Sequence, residues 1–118
     1  DYKVALKLHF YLSSSTPLDN NILTPEIKKI TFGKKFNQSI NNLPNTITHI
    51  KFYDGCKFNQ PIDNLPNSIT HITFEYISGF NQPIDNLPNS IKELRLGSHF
   101  NQPIDNLPNS IIILYLGC

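Results

Sequence analysis

The stretch F-N-Q-P-I-D-N-L-P-N-S-I occurs three times in this chain of 118 residues, at Phe58–Ile69, Phe80–Ile91 and Phe100–Ile111. A fourth copy, F-N-Q-S-I-N-N-L-P-N-T-I, stands at Phe36–Ile47. The copies begin 22, 22 and 20 residues apart. A repeat this short and this well kept predicts a solenoid, in which one small unit per repeat stacks on the next. Such a fold offers a long regular surface rather than a single pocket.

Each copy is followed by a short alternation of polar and apolar residues. Examples are H-I-K-F at His49–Phe52, H-I-T-F at His71–Phe74 and E-L-R-L at Glu93–Leu96. A period of two with β-branched and aromatic residues indicates a short strand. Strands of successive repeats would be parallel and about 4.8 Å apart. We therefore predict a β-rich solenoid with short parallel strands along its concave face.

The rest of each repeat is rich in turn-forming residues. The prolines in N-Q-P and L-P-N-S block a helix of any length, and the residue before each proline is biased toward extended backbone. We expect an irregular convex side of extended segments or single 3₁₀ turns, without α-helices. The apolar motif residues should point inward: Phe58, Phe80, Phe100, Ile62, Ile84, Ile104, Leu43, Leu65, Leu87 and Leu107.

An asparagine follows the phenylalanine of every copy. These residues, Asn37, Asn59, Asn81 and Asn101, occupy the same position in the repeat. Each should therefore stack on its counterpart in the next coil. A side-chain amide carries both a donor and an acceptor, so such a column can satisfy itself and the turn backbone. We interpret it as a structural ladder.

Length and charge limit the class of protein. The chain is short enough for one domain, contains no apolar run near 18 residues and shows no signal peptide. The net charge of +1 gives no general case for nucleic-acid binding. Residues 1–57 hold eight lysines against four acids, however, and Lys28, Lys29, Lys34 and Lys35 lie together in sequence. This cluster is either a solvated edge or a docking patch for an acidic partner.

The two ends of the chain differ from the middle. Residues 1–26 predict a divergent N-terminal coil, and residues 27–118 contain the regular repeats. The chain lacks methionine and ends shortly after a strand at Ile111–Leu116. We therefore expect a fragment of a longer protein, or a last coil that packs on a partner. Cys56 and Cys118 are not at equivalent repeat positions and lie nearly three coils, or roughly 14 Å, apart. This distance is too long for a disulfide, so we expect free thiols and an intracellular, reducing location.

The recurring F-N-Q-P-I-D-N-L-P-N-S-I followed by x-x-L-x-L-G resembles the FNIP repeat, a leucine-rich-repeat-like unit of about 22 residues. The resemblance covers Ile27 to Leu116, although Ser39 replaces proline in the copy at Phe36–Ile47. It implies a leucine-rich-repeat-like fold, and a source among slime moulds or giant DNA viruses of amoebae. Several members carry an F-box, so it also implies a role as a ubiquitin-ligase substrate receptor, for which the F-box itself is absent from these residues.

The strand positions that face away from the core are the candidate binding surface. They vary from repeat to repeat, whereas the motif is nearly constant within the chain. A mixture of tyrosine, histidine, arginine and lysine suits a protein interface. The same residues could also form a soluble sheet face without a partner. The positions are Lys29, Thr31, His49, Lys51, Tyr53, His71, Thr73, Glu75, Glu93, Arg95, Ile113 and Tyr115.

Signals for catalysis or metal binding are weak. The chain has no glycine-rich phosphate loop and no nucleophile–base set at a meaningful spacing. His49 and His71 would lie on neighbouring strands, but a zinc site needs three or four ligands. Asp63, Asp85 and Asp105 would form a column that either holds a cation such as calcium or is simply solvated, and we favour solvation. We expect no enzyme, no cofactor and no metal ligand.

Two hypotheses for function follow. The first is a protein-interaction solenoid that acts as the recognition part of an adaptor through its concave sheet. The second is a structural or self-associating module, in a virion or another assembly, whose C-terminal coil stacks end to end. Neither hypothesis involves a membrane or nucleic acid.

Overall fold

A computed structural model describes residue 18 and residues 23–117. Within them the chain forms a single parallel sheet, in which each strand pairs with the next in chain order. The predicted stack of parallel strands is therefore confirmed. The predicted N-terminal coil and Cys118 lie almost entirely outside the described residues. The strands are β1 Lys29–Phe32, β2 His49–Phe52, β3 His71–Phe74, β4 Glu93–Leu96 and β5 Ile113–Leu116.

The strands pair in the register of the repeat. Ile30 pairs with Ile50, Ile50 with Ile72, Ile72 with Leu94, and Leu94 with Leu114. Because side chains alternate along a strand, this register places every second residue on the core side in all five strands. The residues between them form the opposite face of the sheet, which we call the open face.

Phenylalanine rings form two parallel columns inside the coils. Phe52 lies between Phe32 and Phe74, with ring centroids 5.0 and 4.5 Å away. A second column comes from the repeated motif, and its successive rings lie 5.9–6.1 Å apart. Stacked aromatic pairs contribute about 0.5–1.5 kcal/mol each beyond the area they bury. The second column is made of Phe36, Phe58, Phe80 and Phe100.

The side of the coils opposite the sheet is built from turns. In each repeat the proline of L-P-N-[ST]-I accepts a hydrogen bond on its carbonyl from the N–H of the isoleucine three residues later, at 3.2–3.3 Å. No helix occurs among the described residues. The prediction of an irregular, non-helical convex side is confirmed, and its turns are isolated and hydrogen-bonded.

The asparagine ladder is present, and it works through the backbone. The Oδ1 atom of Asn37 accepts the N–H of Asn59 at 2.9 Å, Asn59 accepts from Asn81 at 2.8 Å, and Asn81 accepts from Asn101 at 2.7 Å. The next residue adds a donor that we had not anticipated. The Nε2 atoms of Gln60, Gln82 and Gln102 each donate to the asparagine of the preceding coil, at 3.1–3.3 Å.

The turn between each strand and the next motif is the part of the repeat that changes length. It has three residues at 33–35 and 97–99 but five at 53–57 and 75–79. The five-residue turns bury Cys56 and Ser78 at equivalent positions, each 1% exposed. Cys56 is a free thiol that donates to the carbonyl of Gly33 at 3.1 Å, and burial raises its pKa.

One short turn requires glycine because another backbone segment passes close to it. A Cβ atom on Gly97 would lie 2.7 Å from the carbonyl oxygen of Glu75 and 2.9 Å from that of Tyr76. Gly97 therefore lets the turn after β4 approach the turn after β3. In the first five-residue turn, Gly55 has a φ of 79°, a backbone conformation that favours glycine.

One predicted core residue is exposed. Ile62 and Ile84 are each 1% exposed, as expected, but Ile104 is 40% exposed. Phe100 and Leu107 are only partly buried, in contrast to their counterparts in earlier coils. The physical reason is that no described segment packs over the motif at Phe100–Ile111.

Candidate protein-binding face

The open face carries two rows of side chains across the five strands. The register places the first residues of the strands beside one another, and the third residues form a second, parallel row. Tyr53 and Glu75 follow β2 and β3 and extend the face past the strand ends. The first row is Lys29, His49, His71, Glu93 and Ile113; the second is Thr31, Lys51, Thr73, Arg95 and Tyr115.

His49 and His71 stack in the centre of the first row. Their ring centroids are 4.1 Å apart and their planes differ by 8°. The Nδ1 atoms of both rings lie 2.8 Å from the hydroxyl of the preceding threonine, Thr48 or Thr70. Burial, together with the neighbouring charges of His71 and Lys29, lowers the pKa of His49 to about 4. His49 is therefore uncharged at neutral pH.

The parallel stacking argues against a shared metal ion. Two imidazoles that bind one ion must point their ring nitrogens toward a common point, whereas these rings lie almost parallel and both Nδ1 atoms face threonine hydroxyls. Among the described residues, no group of three or more histidine, cysteine, aspartate or glutamate side chains could hold a metal ion. The aspartates Asp63, Asp85 and Asp105 are exposed, and Asp85 accepts a 3.3 Å hydrogen bond from Asn106.

Arg95 is the most constrained charged residue on the face. Its Nε donates to Oε2 of Glu93 at 2.9 Å, and this hydrogen bond lowers the pKa of Glu93 and raises that of Arg95. Its guanidinium carbon also lies 3.9 Å from the ring centroid of Tyr115. The Arg95 side chain is nevertheless 43% exposed. An arginine held by a carboxylate and an aromatic ring, yet open to solvent, loses little freedom when it binds a partner.

The charge on the face changes along the solenoid. Lys29 and Lys51 make the end near β1 and β2 basic, and Lys51 pairs with Glu75 at 3.5 Å with both side chains exposed. At the other end, Ile113 and Tyr115 are 40% and 48% exposed and carry no charge. The face therefore runs from a cationic end to an apolar end.

Thr31 does not belong to the accessible surface that the alternation predicted. It lies on the open face by its register with Lys51, but its side chain is buried, with 8% exposure. Period-two alternation determines the direction of a side chain and not whether another segment covers it. Thr31 is accordingly removed from the candidate binding residues.

The five-residue turns add an apolar rim, of which the sequence interpretation identified only Tyr53. Tyr53, Tyr76 and Ile77 are 41%, 60% and 52% exposed. The two turns support each other, because the N–H of Ile77 donates to Asp54 at 2.8 Å and the N–H of Gly79 donates to the carbonyl of Cys56. The signal was present in the sequence as the two extra residues between strand and motif.

The family of the chain follows from the repeats. The sequence profile of the family described as FNIP Repeat matches residues 15–55 and 80–118. The chain belongs to the FNIP repeat family. A search of curated protein sequences finds no match.

A solved structure agrees with this assignment. The chain is similar to CroV588, described as a novel circular leucine-rich-repeat (LRR) protein, with a TM-score of 0.59 and 31% sequence identity. The similarity covers 92% of this chain and 19% of CroV588. The FNIP chain thus has an LRR-like solenoid fold, as predicted, and spans about a fifth of that relative. Solenoids of this kind typically serve as interaction scaffolds rather than enzymes.

None of the described segments is a helix long and apolar enough to span a membrane. The predicted binding residues, apart from Thr31, are brought together on one surface of the FNIP repeats. Their role in binding stays a prediction.

Proposed function

We propose that this FNIP-repeat chain is a protein-interaction module that binds a protein partner through its open face. The observation that carries the proposal is a contrast within the chain. Motif positions recur almost unchanged and are occupied by contacts between coils, whereas the residues on the open face differ from strand to strand. The open-face positions take no part in the packing between coils, so their residue types can be adapted to a partner.

The chemistry of the face suggests what the partner presents. The cationic end around Lys29 and Lys51 suits acidic side chains. The other end offers Tyr115 and Ile113 beside the immobilised Arg95, and tyrosine and arginine are common anchors of interfaces. The rim at Tyr53 extends this surface over the five-residue turns. A partner that spans the face would therefore carry acidic residues at one end and apolar residues at the other.

In its finer form, the proposal makes the chain the recognition part of an intracellular adaptor, for example of an F-box ubiquitin-ligase receptor. The F-box role rests on the family resemblance alone. A second form of the proposal is a self-associating module that stacks through its C-terminal coil. In that form, Leu114 and Leu116, which are 37% and 47% exposed, would lie in the contact between copies.

The experiment is affinity capture from cells of the source organism, with the tagged chain as bait. The binding variant combines Lys51→Ala and Arg95→Ala, whose side chains are exposed and whose loss leaves the core intact. The matched control combines Asn67→Ala and Asp63→Ala, which lie in an exposed loop across the core from the sheet. Circular dichroism and urea unfolding establish that both variants are folded.

We expect a captured protein to be lost or strongly reduced with the Lys51→Ala/Arg95→Ala bait and retained with the loop control. Exposed ion pairs contribute about 0–1 kcal/mol to folding, so the stability of the binding variant should stay close to that of the parent chain. Capture that is equal for both baits, or lost only with the loop control, would refute the assignment of the open face.

A further inference from the structure

The two histidines in the first row of the open face are held by their threonine neighbours in the same way. A Thr-His pair occurs at residues 48–49 and again at residues 70–71. In both pairs the imidazole Nδ1 lies 2.8 Å from the threonine hydroxyl, and the two rings stack with centroids 4.1 Å apart and planes that differ by 8°. The Nε2 atoms of His49 and His71 therefore face in the same direction on neighbouring strands, about 4–5 Å apart.

The hydrogen bonds of the threonines determine which nitrogen of each ring carries the proton. Each hydroxyl has one proton and two acceptors within reach, the imidazole Nδ1 at 2.8 Å and a backbone carbonyl of the preceding coil at 3.2 Å. The carbonyl of Lys28, next to Thr48, already accepts two backbone N–H groups, and so does the carbonyl of Thr48, next to Thr70. Because a carbonyl oxygen has two lone pairs, the hydroxyl proton goes to Nδ1. Each neutral ring accordingly carries its own proton on Nε2.

A lysine completes a line of three donors across three strands. Lys29 pairs in register with His49, as His49 does with His71. After the larger effect of burial, the charges of His71 and Lys29 lower the pKa of His49, so the Lys29 ammonium lies close to the ring. The two Nε2–H groups have no acceptor among the described residues. The line therefore consists of one ammonium and two imidazole N–H groups.

The other charged groups around this line are already paired. Glu93, which follows His71 in the row, accepts a 2.9 Å hydrogen bond from Arg95. In the second row, Lys51 pairs with Glu75 at 3.5 Å. Each of these carboxylates thus has a cation of its own, whereas Lys29 makes no ion pair with a described residue. The line of donors keeps an uncompensated positive charge, which suits an anion.

We propose that Lys29, His49 and His71 form a binding site for a phosphate monoester on the protein partner. One phosphate oxygen takes the ammonium, and the other two take the Nε2–H groups. This site rests on the proposed function for its partner and deepens it, because it assigns a ligand to the cationic end of the open face. A bound dianion also favours the charged imidazole, so the histidine pair takes up a proton more readily when the site is occupied.

The three donors distinguish a phosphate from other groups. A carboxylate has two oxygens and a single charge, whereas a phosphate monoester has three free oxygens and a charge of about −1.5 to −2 at pH 7. A partner's ammonium or guanidinium group would meet the Lys29 charge and two N–H donors. The parallel rings do not point their nitrogens toward a common metal ion.

The site is tested by nuclear magnetic resonance of the imidazole groups in the chain of 118 residues. The probes are inorganic phosphate and N-acetyl-O-phosphoserine methylamide, with sodium chloride of equal ionic strength as the reference. We expect the signals of His49 and His71 to shift saturably, with half-saturation at about 1–10 mM for both probes. The signals of His99, which is exposed in the turn after β4, should not follow this curve. Without phosphate, the nitrogen shifts should show a proton on Nε2 and none on Nδ1.

Two variants and one control identify the donors. His71→Phe keeps a flat ring beside His49 but removes one N–H group, and it should weaken phosphate binding about tenfold. Lys29→Gln, at an exposed position, should have an effect of the same size without affecting the fold. Lys57→Gln removes an equal charge from an exposed turn residue and should bind phosphate like the parent. Circular dichroism establishes that the three variants are folded.

Several results would overturn the site. They are the absence of saturation, an equal response to chloride, a proton on Nδ1 in the free rings, and unchanged binding in both donor variants. Acetate that binds as tightly as phosphate would overturn the choice of a phosphate, and binding of inorganic phosphate without the phosphoserine probe would overturn the partner as its source. A pH of half-protonation that rises for His49 and His71 in phosphate, and less so in Lys29→Gln, supports the proposal.

The result is independent of the capture experiment. If partner capture is lost with the Lys51→Ala/Arg95→Ala bait but neither probe binds the parent chain, the proposed function stands and the phosphate site is refuted. If both probes bind but capture is equal for that bait and for the loop control, the phosphate site stands and the assignment of the open face to that captured protein is refuted.

Discussion

Replacing Asn81 by alanine should lower the free energy of unfolding by about 1–2 kcal/mol. The Oδ1 atom of Asn81 accepts two hydrogen bonds from the next coil, from the N–H of Asn101 at 2.7 Å and from Nε2 of Gln102 at 3.3 Å. A typical intramolecular hydrogen bond contributes about 0.5–1.5 kcal/mol net. Because the ladder lies near the surface, water can replace part of the two lost hydrogen bonds. The expected loss is therefore in the lower part of the range obtained by adding two such bonds.

The chain supplies its own control for this prediction. Asn101→Ala removes the same side chain from the same motif, but the Oδ1 of Asn101 accepts no hydrogen bond from the described residues. Its cost should therefore be within about 0.5 kcal/mol, as for an ordinary surface substitution. The difference between the two variants isolates the bonds that Asn81 makes to the following coil.

The assay is urea unfolding followed by far-ultraviolet circular dichroism and by tyrosine fluorescence. The two signals should report the same transition, since a linear stack can unfold in parts. With an unfolding entropy of about 2.1 cal/mol/K per residue, a loss of about 1–2 kcal/mol moves the thermal midpoint of this chain by roughly 4–8 °C. If Asn81→Ala and Asn101→Ala destabilise the chain equally, the asparagines act within their own turns, and the reasoning about inter-coil bonds is wrong.

Three further predictions concern the core, one turn and pH. Phe58→Ala should lower the free energy of urea unfolding by about 3–5 kcal/mol because the Phe58 ring is fully buried. Phe100→Ala should lower it clearly less because the Phe100 ring is partly exposed. Equal losses would contradict the packing described. Gly97→Ala should cost about 1–3 kcal/mol, since its Cβ would meet a carbonyl oxygen of the preceding coil at 2.7 Å, whereas Gly79→Ala, with its nearest contact at 3.7 Å, should stay within about 0.5 kcal/mol. His49 has a pKa of about 4 in the folded state against an unperturbed value of 6.5. Its contribution to the free energy of unfolding is therefore complete above pH 6.5 and is lost as the pH falls toward 4. His49→Gln should flatten the pH dependence of the free energy of unfolding over that interval, and an unchanged slope would argue against the shift.

The architecture could be predicted from sequence because the same constraint is written several times. One copy of F-N-Q-P-I-D-N-L-P-N-S-I would be an ambiguous loop, but four copies in register specify a stack, and the prolines exclude helices. The inward direction of Ile62 and Ile84 follows from the same repetition. Local pattern and global fold agree here, which is the condition under which sequence interpretation works best.

The properties that depended on neighbours in space could not be predicted. Thr31 and Ile104 obey the repeat pattern, yet Thr31 is 8% exposed and Ile104 is 40% exposed, because exposure depends on spatial neighbours that the pattern does not specify. The ring of Tyr115 beneath Arg95 required the coordinates of two side chains from different strands. The donation by Gln60 could have been inferred, because glutamine follows the ladder asparagine in every copy.

The candidate binding face was only partly predictable for the same reason. Alternation identified the residues of the strands, since direction is a local property of a strand. The rim formed by Tyr76 and Ile77 lies in turns, where the repeat pattern is interrupted. Its detection required treating the 22-residue steps as 20-residue steps with two added residues, rather than as the ordinary form of the repeat.

Within the described coils, the turn between strand and motif is a place where the repeat accepts two added residues. Three residues at 97–99 and five at 53–57 connect the same two anchoring positions, and the strands and the asparagine column remain aligned on either side. A segment grafted at 97–99 would lengthen the chain without displacing the coils in space, provided that Gly97 is kept. The stacking of the coils therefore depends on the twelve nearly invariant positions of the motif. The shape of the rim depends on a few turn residues, which can vary without changing the stacking.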